Sequence, residues 1–346
     1  MLGVNAGVLV LQAAQHGTLF VAPFAADVEQ IMYFLQIDFL QPIYNFTFSN
    51  GLIACLVFMG IGAITDIDYF MAKPFMSLVI AIFAELGTIA TFPIATAFGL
   101  APPQAAAIAL VGGADGPMVL YGSIMMAREL FVPITIIAYL YLSVTYAGYP
   151  YLIKLLIPRR LRAVKMNPAE IRQVPSGQKF AFAIIIVTVL SLLFPVAAPL
   201  YASFFVGLAV KETNIKRYVE FLSGPLLYGA TFFLAFTLGA LLEASTILDP
   251  LVLKLLILGV IALLLSGIGG IIGGLFFYKL SGKRFNPIIG IAGVSCVPTT
   301  AKVAQHAAYE ANKMNMILPF AMGPNVAGVI TTSIITGIYV SAMGLL

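Results

Sequence analysis

The chain has 346 residues, 61% of them hydrophobic and 9% charged, with a mean hydropathy of +1.03 and a formal net charge of +4. Soluble domains carry roughly 25% charged residues, so composition excludes an ordinary soluble domain. Apolar runs of about 20 residues, enough to cross a bilayer, recur along the chain, and they are continuous rather than alternating with period two, which argues against a β-barrel.

The N-terminal segment, 1–48, opens on MLGVNAGVLVLQAAQHG. It has no basic n-region, so no cleaved signal peptide is expected. Candidate membrane segments follow near 50–66, 76–100, 103–127 and 130–157, within a first membrane repeat spanning 49–157. A linker, 158–179, carries Arg159, Arg160, Arg162, Lys165, Arg172 and Lys179 against Glu170. A basic loop between spans is expected on the cytoplasmic side and reads as topology rather than nucleic-acid binding. The second membrane repeat, 180–346, holds runs near 180–210, 218–242, 249–279, 284–299 and 316–345. The first of these can divide at Pro195 and Pro199 into two short crossings. The expectation is an all-α polytopic protein with about ten transmembrane segments.

The halves show a weak internal similarity. SNGLIACLVFMGIGAITD (49–66) and SGPLLYGATFFLAFTLGALLE (223–243) both open with Ser and Gly and close on Gly-Ala-x-x-acid, at Asp66 and Glu243. Carrying that offset forward from Asp115 lands inside NPIIGIAGVSCVP (286–298). Broken segments at corresponding places mark transporters whose site lies between repeats. GIGGIIGG (267–274) pairs Gly269 with Gly273 and Gly270 with Gly274, which reads as close helix packing. No Gly-Lys-Ser/Thr ending accompanies it, so nucleotide binding is set aside. Cys55 and Cys296 lie in apolar runs and read as buried thiols.

The chemistry lies in polar groups that hydrocarbon does not favour. ALVGGADGPMVLYGS (109–123) breaks helix geometry at Gly112, Gly113, Gly116 and Pro117 and places Asp115 at the break. An ionised Asp at the bilayer centre costs about 2.5–3.5 kcal/mol even on the lenient insertion scale, and such residues line ion or proton paths. The blander reading, a carboxyl hydrogen-bonded to a neighbouring helix, fits poorly on glycine-rich backbone. Glu85 lies on unbroken helix, where packing and function stand level. Two further runs read as broken and carry neutral oxygens: Asn286 and Ser295 flank Gly290, and Asn325 follows a break expected at Gly323 and Pro324. Carboxylate, amide and hydroxyl oxygens with freed backbone carbonyls suit a hard monovalent cation such as Na+. Asn in a membrane helix is otherwise interhelical glue, so these residues leave Na+ and packing open. His16 and His306 stand alone, and no cluster has transition-metal spacing.

GGADGP (112–117), NPIIGIAGVS (286–295), MGPNVAGVI (322–330) and NGLIACLVFMGIGAITD (50–66) occur together in one chain. With them the sequence resembles the β subunit of the biotin-dependent, sodium-pumping decarboxylases, which act on oxaloacetate, methylmalonyl-CoA, glutaconyl-CoA or malonate. That resemblance implies decarboxylation of carboxybiotin coupled to Na+ export, with a proton consumed. It implies three partners: a biotin carrier subunit, a soluble carboxyltransferase α subunit and a small membrane subunit (γ/δ). Biotin is presented by another subunit and not attached here. AVKM (163–166) is no biotinylation site, because Lys165 lies in a short basic loop rather than on a hairpin of a folded β domain.

The resemblance further implies inverted repeats with discontinuous helices, a scaffold plus a mobile core domain, a homotrimer, and the cytoplasmic membrane of a bacterium or archaeon. By it, Asp115 matches the essential carboxylate, and Asn286 and Asn325 match sodium-site residues. Gly290, Ser295 and Tyr141 match positions implicated in ion or proton handling. Two positions depart: Met118 stands where Thr is expected, and Lys302 where oxaloacetate-type members have Arg. Lys302 remains a candidate for the carboxylate of carboxybiotin, although it lacks the bidentate fork. VPTTAK and GVITTS lean toward the acyl-CoA branch. The rival from a different class is a sodium-coupled secondary transporter of a small anion without chemistry, which inverted repeats and a midplane site fit equally well.

Overall fold

The computed structural model describes residues 51–167, 171, 173–241 and 250–344, apart from the side chains of 141–144, 196 and 238–241. The N-terminal segment 1–48 lies outside them. Helix α1 (Leu52–Ile64) leads through a helical turn (Asp68–Ala72) to α2 (Pro74–Ala97). Then come α3 (Pro102–Ala109), a 3-10 turn (Leu110–Gly113), α4 (Gly116–Met126) and α5 (Phe131–Leu156). After the linker come α6 (Ser176–Leu193), α7 (Ala198–Glu212), α8 (Leu227–Leu241) and α9 (Pro250–Leu280). A 3-10 segment (Pro287–Gly293), α10 (Thr299–Ala311) and α11 (Leu318–Met343) complete the chain. No strand occurs among the described residues.

Proline sets many of these starts. It occupies the first turn of α2, α3, α4, α7 and α11, where its missing N–H has no intrahelical partner to lose. Among the described residues, five helices are long and apolar enough to cross a membrane, or six if the pair Arg128–Leu140 and Thr145–Leu156, bent by 56°, is one span. The runs expected at 103–127 and 284–299 are both split, into α3, the 3-10 turn and α4 in one case and the 3-10 segment and the start of α10 in the other. The run at 180–210 divides at Pro195, as its prolines foretold, whereas the break expected at Gly323 and Pro324 does not occur: α11 runs through both, as membrane helices packed by neighbours tolerate.

Small residues bring the helices together. A Cβ on Gly62 would lie 2.0 Å from the Phe204 carbonyl, and one on Gly207 1.9 Å from the Met59 carbonyl, so α1 and α7 touch backbone to backbone. The GIGGIIGG stretch of α9 works on two sides. Gly269 and Gly273 abut Phe83 of α2, whereas Gly270 and Gly274 abut the carbonyls of Gly290 and Pro287. The packing reading of these glycines holds. Among the described residues, buried apolar side chains fall into two clusters. One joins α2, α3, α5, α9, the 287–293 segment and α10, and the other joins α1, α6, α7 and the middle of α11.

The basic linker is pinned at both ends. Asp68 accepts from the Val174 N–H at 2.9 Å and pairs with Lys179 at 2.8 Å. At the other end, Asn286 and Asn315 each donate to the carbonyls of Arg162 and Val164.

Candidate functional site

The two broken segments meet. The chain ends the 3-10 turn at Gly113, passes Ala114 at φ +53°, and starts α4 with Asp115 as its N-cap. Opposite it, the 287–293 segment ends in extended backbone at Val294 before α10 begins. Ser295 bridges the two: its N–H donates to the Gly113 carbonyl at 3.0 Å and its hydroxyl to the same oxygen at 2.7 Å. Its Oγ also lies 3.4 Å from Asp115 Oδ2. Asp115 is 5% exposed, and its Oδ1 accepts from the Met118 N–H at 3.4 Å. Acidic caps suit a helix N-terminus, whose free N–H groups carry partial positive charge.

Asn325 holds the second break in shape. Its Nδ2 donates to the carbonyls of Ala292 and Val294 and to Thr300 Oγ1, at 2.9, 3.2 and 2.9 Å. Its Oδ1 is buried and has no hydrogen-bond partner among the described residues, an oxygen free to accept. Gly290 serves the same segment by absence of bulk, since a Cβ there would sit 2.0 Å from the Gly270 carbonyl.

A cavity of about 470 Å³ opens on the crossing. Asp115, Tyr139, Ser295, Cys296 and Thr299 lie in its wall, and α1 and α8 contribute apolar side chains. The Tyr139 ring packs on Gly116, where a Cβ would come within 3.0 Å, and its hydroxyl has no hydrogen-bond partner among the described residues.

Of the residues singled out from sequence, Asp115 and Ser295 are therefore brought together, with Asn325 and Gly290 shaping the second break. Asn286 is placed elsewhere. It caps the 287–293 segment by accepting from the Ile288 N–H at 3.0 Å, while its amide nitrogen is spent on the linker carbonyls. Lys302 is exposed one turn into α10, without an ion pair among the described residues. Tyr141 lies in α5, and its side chain falls outside the described residues. Sequence reasoning passed over Tyr139, two residues away, because nothing local distinguishes the two tyrosines.

These features define a class: a polytopic α-helical membrane protein whose central carboxylate sits where two broken segments cross. Residues 2–343 match the model of the Na+-transporting oxaloacetate decarboxylase beta subunit, and the chain belongs to that family. It is similar to the carboxybiotin decarboxylase of Malonomonas rubra, 51% identical over 346 residues, covering 100% of this chain and 86% of the relative. It is similar to the oxaloacetate decarboxylase beta chain of Klebsiella pneumoniae, 36% identical over 87% of this chain and 71% of the relative. It is also similar to the methylmalonyl-CoA decarboxylase subunit beta of Propionigenium modestum, 35% identical over 85% of this chain and 74% of the relative.

Proposed function

We propose that this chain decarboxylates carboxybiotin in the membrane and couples that step to outward movement of Na+. One observation carries the reading at the site: the buried Asp115 stands at the crossing of two broken segments and faces a cavity. In the reaction the N–C bond of carboxybiotin breaks, CO2 leaves, and the ureido nitrogen takes up a proton. A carboxylate in a medium that penalises bare charge holds a compensating cation. Asp115 can therefore exchange Na+ for the proton that the reaction consumes.

Ser295 Oγ beside Asp115 and the unpartnered Asn325 Oδ1 at the second break are neutral oxygens of the kind that suits Na+. The free hydroxyl of Tyr139 can relay a proton along the cavity wall. Asn286 acts on Na+ through the segment that it caps, and Lys302 engages the carboxylate of carboxybiotin. A secondary transporter without chemistry is the poorer reading, because the full-length relative at 51% identity is a carboxybiotin decarboxylase. In this reading a separate biotin carrier, a carboxyltransferase α subunit and a small membrane subunit complete the complex. The chain forms a trimer in the cytoplasmic membrane of a bacterium or archaeon. The identities of 36% and 35% do not rank the oxaloacetate and methylmalonyl-CoA branches, so the lean to acyl-CoA chemistry rests on VPTTAK and GVITTS.

The test is Asp115→Asn in the complex reconstituted into vesicles, with radioactive Na+ uptake and release of CO2 from carboxybiotin followed together. Both should be lost. A variant that decarboxylates at the normal rate without moving Na+ would overturn obligatory coupling through this residue.

A further inference from the structure

Membrane topology asks only that cations lie on the cytoplasmic side. It does not ask that the backbone beneath them be pinned, yet the start of the linker is. Asn286 and Asn315 hold the Arg162 and Val164 carbonyls, and the Asn286 N–H donates to the buried Met166 Sδ at 3.2 Å. The clamp gathers the linker, the loop ahead of Asn286 and the loop after α10 into one surface. Each presents exposed cations: Arg159, Arg160 and Lys165 on the linker, Arg284 before Asn286, and Lys313 before Asn315. None of these forms an ion pair among the described residues. The acid beside them, Glu310, is already taken by Lys154 at 2.9 Å. Met314 and Met316 stand among the cations, 78% and 68% exposed. Methionine adapts to irregular apolar surfaces, and with Arg it is enriched where proteins meet.

α10 joins this surface to the cavity. It starts at Thr299, in the cavity wall, and ends beside the clamp. Its 13 residues span about 20 Å at 1.5 Å per residue. Ala301, Val303, Ala304, Ala307 and Ala308 are buried, whereas Lys302, His306 and Tyr309 form an exposed stripe at i, i+4 and i+7. A face with Lys and His on successive turns suits water rather than lipid tails. Biotin hangs from its carrier on a lysine side chain and a pentanoyl chain, an arm no longer than α10. The carrier body must therefore lie over α10 for its biotin to enter the cavity, and its contacts then fall on the clamped surface.

We propose that the clamped linker, the loop ahead of Asn286 and the loop after α10 form the docking surface for an acidic face of the biotin carrier. The unpaired cations draw that face in and set its orientation, as rim charges do. Met314 and Met316 are the side chains that it covers. The carrier as occupant rests on the proposed function; the charge of the surface and the clamp beneath it do not.

The test uses the full chain purified in detergent, with two substrates: the carboxylated carrier added in trans, and free carboxybiotin. Arg160→Glu combined with Lys313→Glu should raise KM for the carrier about tenfold and leave turnover of free carboxybiotin unchanged. Both positions are exposed, so folding should be little affected. Wild-type KM for the carrier should climb with ionic strength, since salt screens exposed charges beyond about 10 Å at 0.1 M. The double variant should lose most of that dependence. Met314→Ser with Met316→Ser should raise the same KM by a step that salt does not alter. Lys216→Glu, exposed on the separate helical turn Lys216–Phe221, controls for overall charge and should change nothing. An equal rise in Lys216→Glu, or an unmoved carrier KM in both double variants, would overturn the docking surface. So would a double charge variant that keeps its carrier KM but loses a preference of wild type for phosphatidylglycerol over phosphatidylcholine nanodiscs, because the cations would then face lipid. Failure of the functional reading looks different: wild type would turn over neither substrate, and the surface would lose its occupant with it.

Discussion

Ser295 gives both its backbone N–H, at 3.0 Å, and its hydroxyl, at 2.7 Å, to the carbonyl oxygen of Gly113. Helix breaks in a bilayer leave peptide groups without partners, and no water is there to take them. In this fold the break of one half satisfies the break of the other.

Ser295→Ala should keep the N–H bond and lose the hydroxyl contacts. The expected loss is about 1 kcal/mol of stability, typical of one hydrogen bond. The Na+ concentration for half-maximal decarboxylation should also rise, because Oγ is a neutral oxygen 3.4 Å from Asp115 Oδ2. Thermal unfolding and a Na+ titration separate the two effects. A lowered melting temperature with an unmoved Na+ curve would leave Ser295 a purely structural strut.

Gly290→Ala should destabilise the protein by about 1–3 kcal/mol, the usual result of adding a methyl group to a packed interior. The methyl would sit 2.0 Å from the Gly270 carbonyl and 2.8 Å from the Gly274 Cα, where backbone rather than a flexible side chain must move. Gly229→Ala is the control, because nothing among the described residues lies within 4 Å of its added Cβ. Melting curves in detergent give the comparison. Equal curves for the two variants would show that α9 and the 287–293 segment yield more easily than their contacts imply.

Composition alone made the helical class legible, since apolar runs of spanning length have few other uses. The first break was legible because glycine and proline crowd together at Gly112, Gly113, Gly116 and Pro117, but the same signal at Gly323 and Pro324 misleads, since α11 runs through both. The meeting of the two broken segments was anticipated by the offset from Asp66 to Glu243, which carries Asp115 into the 287–293 segment. The setting of Glu85 was not legible. Its hydroxyl partners arrive from 246 and 247 residues along the chain, and on α2 alone it is one acid on an apolar helix. Asn286 was hidden for a different reason. Its partners are backbone carbonyls in the linker, and a backbone acceptor leaves no mark on side-chain pattern.

Asn286→Ala and Asn315→Ala should behave alike. Both side chains donate to the Arg162 and Val164 carbonyls, so either loss loosens the same stretch of linker while each carbonyl keeps the other asparagine's N–H. Each should raise the half-saturating Na+ concentration and quicken protease cleavage in the linker, at a cost of about 1 kcal/mol per hydrogen bond lost. A shift in the Na+ curve for Asn286→Ala with none for Asn315→Ala would instead make Asn286 a direct ligand. That contrast decides between clamp and ligand without a bound ion.

Lys302→Met should impair decarboxylation and leave Na+ binding in place. α10 starts at Thr299, and Pro298 and Thr299 lie in the cavity wall. Lys302 follows within the first turn, its N–H bonded to the Pro298 carbonyl at 3.0 Å and its side chain exposed. A cation on the first turn of a helix opposes the macrodipole, which local helix stability does not favour. A carboxylate arriving at the cavity would be drawn to both. The competing account is a lysine that reaches for the membrane surface on an apolar stem. Glutamine separates them. A surface-reaching lysine is replaced by Gln at little cost, whereas a carboxylate partner loses a charge-assisted hydrogen bond of about 1.5–3 kcal/mol, a fall of roughly ten- to a hundredfold in rate. Lys302→Arg should retain most of the activity, since it keeps the charge and adds a fork. Turnover of free carboxybiotin by the detergent-solubilised complex supplies the rates, and Na+ protection against thermal unfolding supplies the binding control. Normal turnover in Lys302→Gln would remove Lys302 from substrate binding and leave the carboxylate to groups deeper in the cavity.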